Sequence, residues 1–106
     1  MKIIFWRLTR QIEEAAANQN RNRGEKVNNY AKAQEGIVKL KEAIYGYLQQ
    51  KGAEGATNAE CGRALGIYLG HVGHEGHISR TILGLMQTEE VVKQDPDSKK
   101  WSLIEY

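Results

Sequence analysis

The stretch from Gly76 to Leu103, GHISRTILGLMQTEEVVKQDPDSKKWSL, decides how the rest of the chain is read. Ile78, Ile82, Leu85 and Met86 fall at i, i+4, i+7 and i+8, which at about 100° per residue places them on one stripe of a helix roughly three turns long. That stripe is the expected buried face. Arg80, Gly84 and Gln87 then point outward with His77 at the flank, offering a fixed cation, a position without a side chain and an amide. Directly afterwards Val91–Gln94 and Trp101–Ile104 read as two short strands. The segment Asp95-Pro96-Asp97-Ser98 and two lysines join them with ordinary turn chemistry.

Upstream of this helix, Thr57-Asn58-Ala59-Glu60 has the form Thr-x-x-Glu. That is a capping box: the threonine hydroxyl accepts from the backbone of the glutamate, and the carboxylate reaches back to the threonine backbone. It predicts a short helix through Leu65, ended by Gly66, with Cys61 as a small core residue. Earlier still, Ile37, Leu40, Ile44, Tyr47 and Leu48 make a helical stripe from about Tyr30 to Gln50, with Lys39, Glu42, Gly46 and Gln49 opposite and Gly52 as the stop.

The N-terminal part divides in two. Residues 1–17 predict an amphipathic helix, with Ile4, Leu8, Ile12 and Ala15 on one stripe and Trp6 on the polar side, where it hints at a second contact, with a partner subunit or with the rest of the domain; a short strand at Ile3–Trp6 is the rival reading. Residues 18–30 are asparagine-rich and almost free of apolar side chains, so they read as a hydrated linker. Arg21, Arg23 and Lys26 in this linker could follow a DNA backbone as a basic arm; a solubilising role is the commoner one. Residues 31–106 form the folded domain, which is large enough for a single core.

Composition excludes several classes. One cysteine leaves no internal disulfide and no thiolate pair for a metal, and suits a reducing cytoplasmic setting. The apolar start MKIIFW is cut short by Arg7 and Arg10 before it reaches the length of a signal core or a membrane span. The net charge of +2 is unevenly spread: residues 1–42 carry nine Lys/Arg against five Asp/Glu, and residues 43–106 six against eight. Basic character therefore lies ahead of the segment that would read a nucleic acid.

Taken together, the helix, the Thr-Asn-Ala-Glu helix ending Ala-Leu-Gly-Ile, the helix with Ser-Arg near its start, and Val-Val-Lys followed by Lys-Trp-Ser-Leu resemble winged helix-turn-helix DNA-binding domains. The likeness is to bacterial transcriptional regulators of the multiple-antibiotic-resistance type, and covers roughly residues 36–104. It implies an α+β, mostly helical fold: a winged helix-turn-helix with a C-terminal two-stranded β-hairpin wing, to which this chain adds an N-terminal amphipathic helix. It further implies that Gly76–Glu89 is the recognition helix, with His77, Ser79, Arg80 and Thr81 facing the major groove and Gln87 on the same outer side. Lys93, Lys99 and Lys100 would be wing cations, and double-stranded DNA the partner, bound by a homodimer joined through the N-terminal helix. An arginine can contact guanine with two hydrogen bonds, whereas serine and lysine suit phosphate. This sequence departs from the family in two places. Tyr68–Gly76 stands where a short turn is usual, and Glu89 and Glu90 occupy the corner where glycine is common. A protein-interaction module on the same scaffold is the alternative reading.

Other constellations have plainer explanations. His71, His74 and His77 recur every third residue, but three glycines in the same stretch predict a polar surface loop, and no metal is expected there. Asp95-Pro96-Asp97-Ser98-Lys99 lacks the second carboxylate a nuclease centre needs, and reads as a hairpin tip. No phosphate-binding glycine loop is present. The chain is expected not to be an enzyme and to need no cofactor.

Overall fold

The computed structural model describes residues 25–104. The expected N-terminal helix with Trp6, and Arg21 and Arg23 of the linker, lie outside the described residues. Among the described residues the architecture is α+β, with three α-helices and two small antiparallel hairpins. Helix α1 spans Glu25–Lys51, α2 Asn58–Ala64 and α3 His77–Thr88. Strands β1 (Gly70–His71) and β2 (His74–Glu75) form one hairpin; β3 (Val92–Gln94) and β4 (Trp101–Leu103) form the other. No described helix is long and apolar enough to cross a membrane.

Helix α1 starts at Glu25, five residues ahead of the expected Tyr30, so the last part of the asparagine-rich segment, Lys26 included, is helical. The chain divides within this helix into two units, the first ending at Leu40 and the second running from Lys41. In the first, Ala31 and Val38 are buried and Tyr30 is exposed. In the second, α1 buries Lys41, Ile44, Tyr45 and Leu48. The inward face is thus turned from the apolar stripe of the sequence: Ile37, Leu40 and Tyr47 are only half-buried, while a lysine is inside. The inward position is tolerable because Lys41 Nζ lies 2.8 Å from Glu89 Oε2, and a buried charge must be paired.

A single 3₁₀ turn, Gly52–Glu54, follows α1 and leads through Gly55 to the sheet. Gly55 has φ +71°, and a Cβ there would stand 2.5 Å from the Trp101 carbonyl oxygen. That approach lets Ala56 exchange backbone hydrogen bonds with Trp101, at 2.9 and 2.7 Å, adding one rung on the outer side of β4. Within the main hairpin Val92 pairs with Leu103, Lys93 with Ser102 and Gln94 with Trp101. Val91, Val92, Trp101 and Ala56 bury their side chains in the same unit as Ile44, Leu48, Leu83 and Met86.

The capping box forms as the spacing predicts: Glu60 N donates to Thr57 Oγ1 at 3.2 Å and Thr57 N to Glu60 Oε1 at 3.1 Å. These bonds hold the Glu60 carboxyl below its ordinary range. Helix α2 closes with Gly66 in the left-handed region (φ +71°), where Gly66 N donates to Arg63 O and Ile67 N to Gly62 O. This is the glycine-terminated end common to helices. Helix α3 ends in the same pattern, Glu90 N donating to Gln87 O and Val91 N to Met86 O, but the left-handed residue is Glu90 (φ +63°).

Candidate nucleic-acid interface

Helix α3 begins at Gly76, whose φ of +86° favours glycine. A Cβ there would stand 2.7 Å from Asn58 Nδ2 and 3.1 Å from Tyr68 Cε1, so the close approach requires glycine as well. Asn58 ties the starts of α2 and α3 together: its Nδ2 donates to Gly76 O at 3.1 Å, and its Oδ1 accepts from Ser79 Oγ at 2.7 Å. Gly62 on α2 completes the junction, since a Cβ there would meet Ser79 Oγ at 3.1 Å and Tyr68 Cδ1 at 3.0 Å.

This packing corrects two expectations. Ser79 is fully buried and serves the helix junction, so it cannot face a DNA groove. The inward face of α3 is Ser79, Ile82, Leu83 and Met86; Leu85, expected inside, is 41% exposed, and Ile78 is half-buried. A serine turns inward because Asn58 and the Gly76 carbonyl satisfy its hydroxyl, and a polar group so partnered costs little to bury. His77, Arg80, Thr81 and Gln87 are all exposed. With Gly84 and Thr88 they run along the solvent side of α3 at helical spacing.

The hairpin after α3 presents Lys93 and Lys99 to solvent. Lys99 sits at the tip in the left-handed region, φ +64°. The turn is held by Lys99 N donating to Asp95 O at 2.9 Å and Ser98 N donating to Asp95 Oδ2 at 2.7 Å. The bond from Ser98 keeps the Asp95 carboxyl below its usual range, so this tip carries an ionised aspartate beside its lysines. Lys100 is half-buried, with Nζ 4.0 Å from Glu54 Oε1. Of the two carboxylates at the corner before β3, Glu89 is turned to Lys41 and is neutralised there.

The Tyr68–Gly76 stretch is not the expected irregular loop but a hairpin, with His71 opposite His74 and Gly70 opposite Glu75. Gly76 N donates to Leu69 O at 2.9 Å, anchoring its base at the start of α3. Gly73 takes φ +84° at the turn and its N–H donates to Glu75 Oε1 at 3.1 Å. Val72 at the tip is 95% exposed. The His74 and His77 rings stack with centroids 6.4 Å apart, while among the described residues no group of three His, Cys, Asp or Glu side chains is placed to hold a metal.

One cation escaped the sequence reading. Arg63, exposed at the end of α2, lies over the Tyr68 ring with Cζ 4.6 Å from its centroid. An arginine five residues before a tyrosine, with a glycine-ended helix between, was the available signal. Cys61 is fully buried, and burial pushes its thiol up to about 11, which makes it a packing residue and no nucleophile. No known protein family, no curated protein and no solved structure matches the chain.

Proposed function

We propose that residues 31–106 act as a winged helix-turn-helix that binds double-stranded DNA, as a transcriptional regulator or an accessory of DNA processing. Helix α3 would enter the major groove with His77, Arg80, Thr81 and Gln87, and the β3–β4 hairpin would be the wing, carrying Lys93, Lys99 and Lys100. The observation that carries the reading is the division of α3: one face fills the core while the opposite one presents His77, Arg80, Thr81, Gln87 and Thr88 around Gly84, with Leu85, 41% exposed, at its margin. The order of elements supports it, with a helix, the Ala56 rung, two helices and a two-stranded hairpin following one another. The pairing of Glu89 with Lys41 supports it further, because that carboxylate is not left to repel phosphate. A homodimer through the N-terminal residues would set two reading helices about one DNA turn, roughly 34 Å, apart.

The test is a fluorescence-anisotropy titration of the full chain on mixed-sequence duplex DNA at low and moderate salt. Affinity is expected to fall steeply with salt, as phosphate contacts require. Arg80→Ala is expected to cost about 1–3 kcal/mol if it reads a base. Wild-type protein that shows no salt-dependent binding would overturn the DNA reading. The second reading, a protein-interaction module on the same scaffold, rests on the exposed Val72 and Leu69 of the inserted hairpin, apolar groups that a protein partner could cover.

A further inference from the structure

The proposed DNA surface has only one arginine on α3, which is little charge to hold a duplex in register. A second guanidinium stands at the other end of the α2–α3 junction. Arg63 lies over Tyr68 at 4.6 Å, within the range at which a cation is attracted to a ring face. Tyr68 in turn packs against both helices: its ring atoms lie 3.0 Å from where a Cβ on Gly62 would be and 3.1 Å from where one on Gly76 would be. Gly76 is the residue from which α3 starts. The arginine is therefore carried on a platform fixed to the beginning of the proposed reading helix.

The charge at this position is not consumed by neighbours. Among the described residues Arg63 is in no ion pair, whereas Lys41 and Lys100 each face a carboxylate. The acids nearest in sequence are engaged elsewhere: Glu60 accepts from Thr57 N, Glu54 Oε1 lies 4.0 Å from Lys100 Nζ, and Glu75 accepts from Gly73 N. A guanidinium held over a ring loses less freedom on binding, and its fork of N–H donors matches phosphate oxygens. Resting on the DNA reading above, we infer that Arg63, held by Tyr68, contacts a DNA phosphate beside the groove entered by α3 and sets the register of that helix.

The alternative is that Arg63 only complements the negative end of α2, where a cation is favourable in any case. A salt series separates the two. Anisotropy titrations of the full chain on labelled mixed-sequence duplexes would compare wild type with Arg63→Ala, Tyr68→Phe and Tyr68→Leu, each checked for folding by thermal melting. Arg63→Ala is expected to reduce the slope of log K against log salt by about 0.9, the release of one phosphate contact, and to weaken different duplexes equally. Tyr68→Phe, which keeps the ring, should retain wild-type slope, and Tyr68→Leu should weaken binding while the arginine is still present. A folded Arg63→Ala protein with the wild-type slope overturns this inference alone. Wild-type protein without salt-dependent binding overturns the DNA reading, and this inference falls with it.

Discussion

Replacing Glu89 by alanine is the perturbation with the most informative consequence. Its Oε2 lies 2.8 Å from Lys41 Nζ, and the two side chains are 33% and 7% exposed respectively. At an effective dielectric near 20 the attraction across that distance is about 6 kcal/mol before desolvation. Desolvation removes much of it, and breaking a buried pair by deleting one member typically costs about 3–5 kcal/mol. Glu89 is a third exposed and also sits at the C-terminal, electronegative end of α3, a place that costs a carboxylate about 0.3–1 kcal/mol. Both corrections pull the value down, so Glu89→Ala is expected to destabilise by about 2–3 kcal/mol, driven by a nearly buried ammonium deprived of its carboxylate. Lys41→Met keeps the apolar stem, and the carboxylate it abandons can hydrate, so about 1 kcal/mol is expected. The double variant Lys41→Met/Glu89→Ala should cost little more than Lys41→Met alone, giving a coupling of about 2 kcal/mol in a double-mutant cycle. Urea unfolding of the four proteins measures this. Equal costs for the two single variants, or a coupling below about 0.5 kcal/mol, would refute the argument that this pair holds α3 to the second half of α1.

Two further outcomes are expected. Gly84 lies inside α3 and a Cβ there meets nothing within 4 Å, so Gly84→Ala should raise stability by about 0.5–1 kcal/mol in thermal melts. If a DNA backbone approaches this position, the same variant should bind duplex DNA more weakly although it is more stable; unchanged affinity would show that no partner comes close there. The Cys61 thiol, raised by burial from an ordinary 9.0 to about 11, favours the folded state fully below its unfolded value. That contribution is lost as pH rises from about 9 to about 11, because the unfolded chain ionises first. Cys61→Ala should therefore lose less stability than wild type between about pH 8 and pH 10.5, by about 2 kcal/mol in urea titrations; parallel losses would refute a buried, neutral thiol.

Local signals in the sequence were sufficient wherever the chain satisfies itself within a few residues. Thr57 and Glu60 announced the start of α2, and Gly52 and Gly66 marked helix ends. The turn residues between Gln94 and Trp101 announced the β3–β4 hairpin. The same holds for the exposure of His77, Arg80 and Gln87, which follows from the amphipathic pattern of α3 even with its inner face turned. The inserted hairpin was less legible: its two rungs depend on Gly70 and Gly73 at positive φ, and glycines in a sequence indicate a loop as readily as a turn.

The sequence by itself therefore determined the order of the three described helices and the β3–β4 hairpin, and the outward placement of Arg80 and Gln87 on α3. Tertiary structure alone decided which way α1 and α3 are rotated, putting Lys41 and Ser79 inside and Leu85 partly outside. The reason is that a polar side chain is admitted to a core only with a partner, and those partners are remote. Glu89 is 48 positions from Lys41, and Asn58 is 21 positions from Ser79. Periodicity reads a residue against its near neighbours, whereas burial of these two groups is settled by hydrogen bonds that exist only once the helices have packed. Arg63 became a candidate contact in the same way, since only folding carries the Tyr68 ring beneath it.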